Sequence, residues 1–252
     1  MKRRIFVIGM TTLTVLGGAG ACSRAPEGGA PQTQAGSDWV TPPQIDSVER
    51  TGAGLLVRGR AAPGGRVVLR AAGGVAYAVG ADAGGHFDLQ VRAPANDTLF
   101  LVETQAGQDA APAPYQMLVS RDPAGPTALL GGGGPTKRLD RAGPLDVVDS
   151  DGHALLASGR ATPGTTVQVS VAGRDPVPAR VAGDGRWSLM LTNEGAGGAE
   201  IVVGGRRYAY PGPVAGSGGG GDGLAMVSNP QGWSVSWPVP PRSRQSSWFP
   251  AG

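Results

Sequence analysis

"GRAAPGGRVVL" runs from Gly59 to Leu69, and "GRATPGTTVQV" runs from Gly159 to Val169, one hundred positions later. In Ala62-Pro63-Gly64-Gly65 the proline presets φ at the second turn position, and glycine accepts the positive φ of the third. Thr162-Pro163-Gly164-Thr165 keeps both residues. That pattern predicts a type II turn, which splays its flanking strands instead of closing a tight hairpin. It suits a chain crossing from one sheet to a facing one. Gly59 and Gly159 are expected at a bulge or a close approach just before the crossing.

The match extends well beyond the turn. Gly85 aligns with Gly185, Phe87 with Trp187 and Leu89 with Leu189, and the gapless alignment reaches Leu101-Val102 and Ile201-Val202. Within each copy the apolar period is two. Val67, Leu69 and Ala71 alternate with Arg66, Val68 and Arg70, and Trp187, Leu189 and Leu191 alternate with Ser188 and Met190. Alternation bounded by Gly and Pro marks half-buried antiparallel strands. The 44 Gly and 22 Pro residues would be poorly tolerated in helices. These features predict an all-β fold of two tandem β-sandwich domains, at 43–122 and 142–250, joined by a linker at 123–141. A Gly-rich insertion is expected at about 211–223, followed by a C-terminal β-hairpin extension.

The first 21 residues read as a secretory signal: basic "MKRR", apolar "IFVIGMTTLTVL", then small residues up to Cys22. The apolar run is too short to span a bilayer. "AGAC" resembles the lipobox of bacterial lipoproteins, with Ala19 where a branched residue is usual. The resemblance implies cleavage before Cys22 and acylation of its thiol and amine, which anchors the protein to a membrane. Ser23 stands where an aspartate would imply inner-membrane retention, so the resemblance implies the outer membrane. Residues 22–42 read as a flexible tether with a reach of about 25 Å. Once Lys2, Arg3 and Arg4 leave with the signal, the 22 basic residues fall to balance the 19 acidic ones. Nucleic acid is therefore not an expected partner.

The two segments "VRGRAAPGGRVVL…GGHFDLQV" and "ASGRATPGTTVQVSV…GDGRWSLML" resemble the bacterial immunoglobulin-like domains of surface adhesins and cell-envelope proteins. The resemblance implies Ig-like sandwiches and a role as spacer or adhesion module, with an envelope protein or glycan as partner.

Catalytic chemistry is not expected. His86 and His153 lack ligand neighbours at metal spacing, so no metal or other cofactor is anticipated. Asp46, Asp146, Asp82 and Asp184 read as turn residues; calcium would need more oxygens than such turns offer. "GGGGPTKR" is not a phosphate loop, because Lys137 follows Thr136 where a glycine is required, with no strand-to-helix context. Two candidate ligand surfaces remain. Trp233, Trp237 and Trp248 either pack on the second sandwich or form an aromatic platform for a glycan or protein. Arg58, Arg60, Arg66 and Arg70 are expected on one outward face of the first copy. They are either a solvated strand face or a grip on an anionic envelope polymer.

Overall fold

Both Pro-Gly corners form as the sequence predicts. The Gly65 amide donates to the Ala62 carbonyl at 2.9 Å with Gly64 at φ 70°, and the Thr165 amide donates to the Thr162 carbonyl at 3.2 Å with Gly164 at φ 77°. The close approaches are real as well. A Cβ on Gly59 would collide with the Gln44 carbonyl and the Phe87 ring, and one on Gly159 with the Pro144 carbonyl and the Trp187 ring. The computed structural model describes residues 40–52, 54–131, 134–141, 143–192, 197–214, 223–239 and 243–251. The expected signal peptide, Cys22 and all of the tether before Val40 lie outside these residues. So does most of the expected Gly-rich insertion.

Each copy supplies seven strands. In the first these are β1 (Gln44–Thr51), β2 (Gly54–Arg60), β3 (Arg66–Ala71), β4 (Ala76–Gly80), β5 (His86–Arg92), β6 (Thr98–Ala106) and β7 (Asp109–Val119). Strands β1-β2-β5 form one sheet, and β4-β3-β6-β7 begin the facing one. After β8 (Thr127–Gly131) and β9 (Lys137–Arg138), the second copy supplies β10 (Val147–Ser150), β11 (Leu155–Arg160), β12 (Thr166–Val171) and β13 (Val177–Arg180). It continues with β14 (Arg186–Leu191), β15 (Ala199–Val203) and β16 (Arg206–Tyr210). Here β10-β11-β14 and β13-β12-β15-β16 repeat the partition. The register repeats too: Gly59 pairs with Phe87 as Gly159 pairs with Trp187, and Val67 with Val79 as Val167 with Ala179. All strand pairing is antiparallel, and the described residues contain no helix.

The gapless alignment fails at one place. Ala71 pairs with Phe100, whereas Val171 pairs with Ile201, an offset of 101. Ile201 and Val203 thus take the buried sites of Phe100 and Val102, while Leu101 is 54% exposed. An extra residue before β15 is needed because a slip of one would turn the apolar face outward.

Residues 123–141, expected to be a linker, carry β8 and β9. β8 pairs with β7, and β9 with β8, so the first copy's four-stranded sheet grows to six. The tail likewise exceeds a hairpin. β17 (Ala225–Asn229), β18 (Gly232–Val239) and β19 (Ser243–Pro250) form a meander, and β19 pairs with β10. The second copy thereby gains its own six-stranded sheet, β14-β11-β10-β19-β18-β17.

These additions change how the copies relate. Each sandwich has its own core, one around Val57, Phe87 and Met117 and the other around Ala157, Trp187 and Trp248. A third core joins Leu99, Leu118, Ala128 and Leu130 of the first copy's large sheet to Val147, Val235, Trp237 and Phe249 of the second's. Both six-stranded sheets are therefore buried on two faces, and residues 40–252 form one compact unit of four stacked sheets. A fully buried large apolar side chain contributes about 1.5–3 kcal/mol, so several such residues make the shared layer a substantial adhesive.

Candidate functional site

The outer face of β2 and its counterpart on β11 carry the same ion pair in different surroundings. Arg60 contacts Asp46 at 3.1 Å, with side chains 58% and 48% exposed. Arg160 contacts Asp146 at 2.9 Å, with side chains 31% and 2% exposed. The difference comes from residues 134–138, which cross the outer face of β11. Ser158 Oγ donates to the Thr136 carbonyl at 3.5 Å, and the Arg160 guanidinium donates to the Arg138 carbonyl. Burial pushes the Asp146 carboxyl above the ordinary aspartate range, against the pull of Arg160, the Gly143 amide and Arg186. Arg186 lies 4.0 Å from the same carboxylate. Burial and the Arg160 charge hold Arg186 below the usual guanidinium value.

A second buried carboxylate lies in the shared layer. Asp149 accepts from Ser247 Oγ at 2.6 Å and from the Thr136 amide at 2.8 Å. Burial raises its pKa despite these bonds. Beside it Arg138, itself buried, pairs with Asp140 at 3.1 Å, donates to the Pro250 carbonyl at 3.0 Å and lies over the Phe249 ring. Residues 134–138 are thus fastened to the second sandwich by polar bonds as well as by burial.

The four arginines expected on one face are not brought together. Arg58 and Arg60 lie on β2, which pairs with β1 and β5; Arg66 and Arg70 lie on β3, which pairs with β4 and β6 in the facing sheet. The Pro-Gly corner that carries the chain between sheets separates them. Acids also occupy three of the four: Arg58 meets Glu49 at 3.0 Å and Asp88 at 3.7 Å, Arg60 meets Asp46, and Arg70 meets Glu103 at 3.4 Å. Arg66 is exposed on β3.

The tryptophans are packing residues here. Trp248 is 1% exposed in the second core, edge-on to Tyr210 with ring centroids 5.7 Å apart. Trp237 is 4% exposed in the shared layer, and Trp233 packs half-buried against that layer. An aromatic platform needs exposed ring faces, and two of these three indoles offer none. Cys22 lies outside the described residues. Of the aspartates read as turn residues, Asp82 accepts from the Gly84 and His86 amides at 2.8 Å, and those bonds hold its carboxyl below the usual range. Among the described residues no three His, Cys, Asp or Glu side chains gather as metal ligands.

Two hollows stand out. A groove of about 1090 Å³ runs between the β3–β4 turn, the β5–β6 connection and the start of β17, with Tyr77, Met226, Arg92 and Arg121 among its walls. A smaller cleft of about 320 Å³ opens beside residues 135–137, lined by Lys137, Arg180, Asp184, Arg186, Trp187 and Ser188. The three cations of that cleft were not singled out by the sequence reading as a group. The copy-to-copy comparison carried the signal, since Arg180 stands opposite Gly80, Arg186 opposite His86 and Ser188 opposite Asp88. Comparison with known proteins finds no matching family model and no matching curated protein.

Proposed function

We propose that this chain is a cell-envelope lipoprotein, acylated at Cys22 and placed at the outer membrane, whose two sandwiches are Ig-like modules. In this reading they act as a spacer or protein-interaction body and not as a catalyst. The observation that carries it is the shared apolar layer, with Trp237 and Phe249 packed against Leu118 and Leu130. A spacer must transmit position from its anchor to its far end, and sandwiches hinged on a bare linker would not. The three-plus-four partition of each copy's strands supports the Ig-like reading, and "AGAC" before Ser23 supports the anchor.

The test is metabolic labelling of the full-length chain with an alkyne-bearing palmitate, followed by density separation of the membranes. The expected result is a labelled band in the outer-membrane fraction that Cys22→Ser abolishes. A wild-type protein that remains unlabelled and soluble would overturn the proposal.

A further inference from the structure

We propose that the cleft beside β9 in the second sandwich binds a phosphate monoester, through Lys137, Arg180 and Arg186. The site is independent of whether Cys22 is acylated, because every residue in it belongs to the folded body.

The argument begins with charge. Lys137, Arg180 and Arg186 line one hollow of about 320 Å³, and among the described residues that line it Asp184 is the only carboxylate. Neither Lys137 nor Arg180 makes an ion pair with a described residue. Arg186 reaches Asp146 only at 4.0 Å, and that carboxylate already holds Arg160 at 2.9 Å. Asp184 Oδ1 accepts the Arg186 backbone amide at 3.1 Å. The cleft thus has two positive charges in excess. A phosphate monoester carries nearly two negative charges near neutral pH, whereas a carboxylate carries one. Guanidinium forks match phosphoryl oxygens in pairs, and lysine adds a point charge.

The same face of the first copy is built the other way. There Arg58 and Arg60 are met by Glu49, Asp88 and Asp46, and His86 stands in the place of Arg186. Between the copies Asp88 gives way to Ser188 and Glu49 to the buried Asp149, while Arg58 becomes Ser158 and the cations of the cleft are instead Arg180, opposite Gly80, and Arg186, opposite His86. Burial and the neighbouring Arg160 disfavour the Arg186 charge, Asp146 and Asp184 only partly compensate, and an anion in the cleft would offset the remainder by direct attraction.

The walls are formed in advance. Trp187, which lines the cleft, is anchored in the second core, and its Nε1–H donates to the Pro144 carbonyl at 3.1 Å. Residues 135–137 are fixed above through Thr136, whose amide donates to Asp149. Ser158 and Ser188 add hydroxyls to the lining. The volume lies at the small end of ligand pockets, which suits one phosphorylated sugar unit and not a run of polymer.

The experiment is calorimetric titration of the mature chain with inorganic phosphate, glucose 6-phosphate, gluconate and glucose at low salt. Saturable binding of both phosphates is expected, with gluconate much weaker and glucose silent. Tighter binding of glucose 6-phosphate than of phosphate would place the sugar in the cleft, and equal binding would confine recognition to the phosphoryl group; either supports the site. Arg180→Gln and Arg186→His, the latter importing the first copy's residue, should each weaken binding about tenfold. Arg66→Gln, on the first copy, should change nothing. Variants are compared only after their melting temperatures match the parent within a few degrees. Lys137→Gln, at a half-buried site, replaces either variant that fails. No saturable phosphate binding, equal affinity for gluconate, or unchanged affinity in the cleft variants would overturn the proposal.

Discussion

The Asp46–Arg60 pair and the Asp146–Arg160 pair occupy equivalent positions of equivalent strands, yet one is open to water and the other enclosed. The difference is not written in either repeat. It comes from residues 134–138, which belong to neither copy's seven strands and cross the second one. A motif duplicated in sequence is thus not duplicated in energetics. Exposed ion pairs contribute little and are screened by salt, whereas a buried carboxylate between two guanidiniums is costly to remove because they are then left uncompensated.

The largest effect is expected in the shared layer, to which residues 134–138 are joined through Thr136 and Asp149. Trp237→Ala empties a site in the shared layer and should destabilise the protein by about 3–5 kcal/mol in denaturant unfolding. A loss below about 1 kcal/mol would mean the layer is not a packed core. Next in size is Asp146→Ala, which should cost about 3 kcal/mol because Arg160 and Arg186 remain. Asp46→Ala should leave the unfolding midpoint nearly unchanged at moderate salt. Equal losses in the two copies would contradict the burial difference. Gly59→Ala and Gly159→Ala should each cost about 1–3 kcal/mol, since both meet a backbone carbonyl and an aromatic ring. Here the copies should agree, and a large disparity would mean that one corner is built differently.

The smallest effect concerns pH. Asp149 has a folded pKa above its unfolded one, so the folded state keeps its proton to higher pH. Its contribution to stability is complete below the ordinary aspartate value and is lost as pH rises through the folded value. Asp149→Asn should remove that decline, so parent and variant converge in acid and diverge toward neutral pH, with the variant more stable. Parallel stability curves would show that burial does not perturb this group.

Much of the fold could be read from residues with a clear period. β5 alternates strictly and β14 alternates in burial, and the Pro-Gly corners declare a crossing between sheets. β8 escaped because "TALLG" does not alternate in polarity. Ala128 and Leu130 face the shared layer while Leu129 faces the first core, and a strand buried on both sides looks like any short apolar run. Its Gly- and Pro-rich neighbours then suggested a linker. The candidate sites fared less well for a related reason. Arg58 and Arg70 are close in sequence but lie in facing sheets, and Trp237 and Trp248 look exposed only if the tail is taken as an appendage. Lys137 enters the basic cleft because β9 docks beside the second copy, a tertiary event with no local signature.

The central claim is that a third apolar layer makes the two sandwiches a single body. Differential scanning calorimetry of the full-length chain tests it directly. A single transition whose calorimetric and van't Hoff enthalpies agree is expected, with Trp237→Ala splitting it in two. Two well-separated transitions in the unaltered protein would contradict the account.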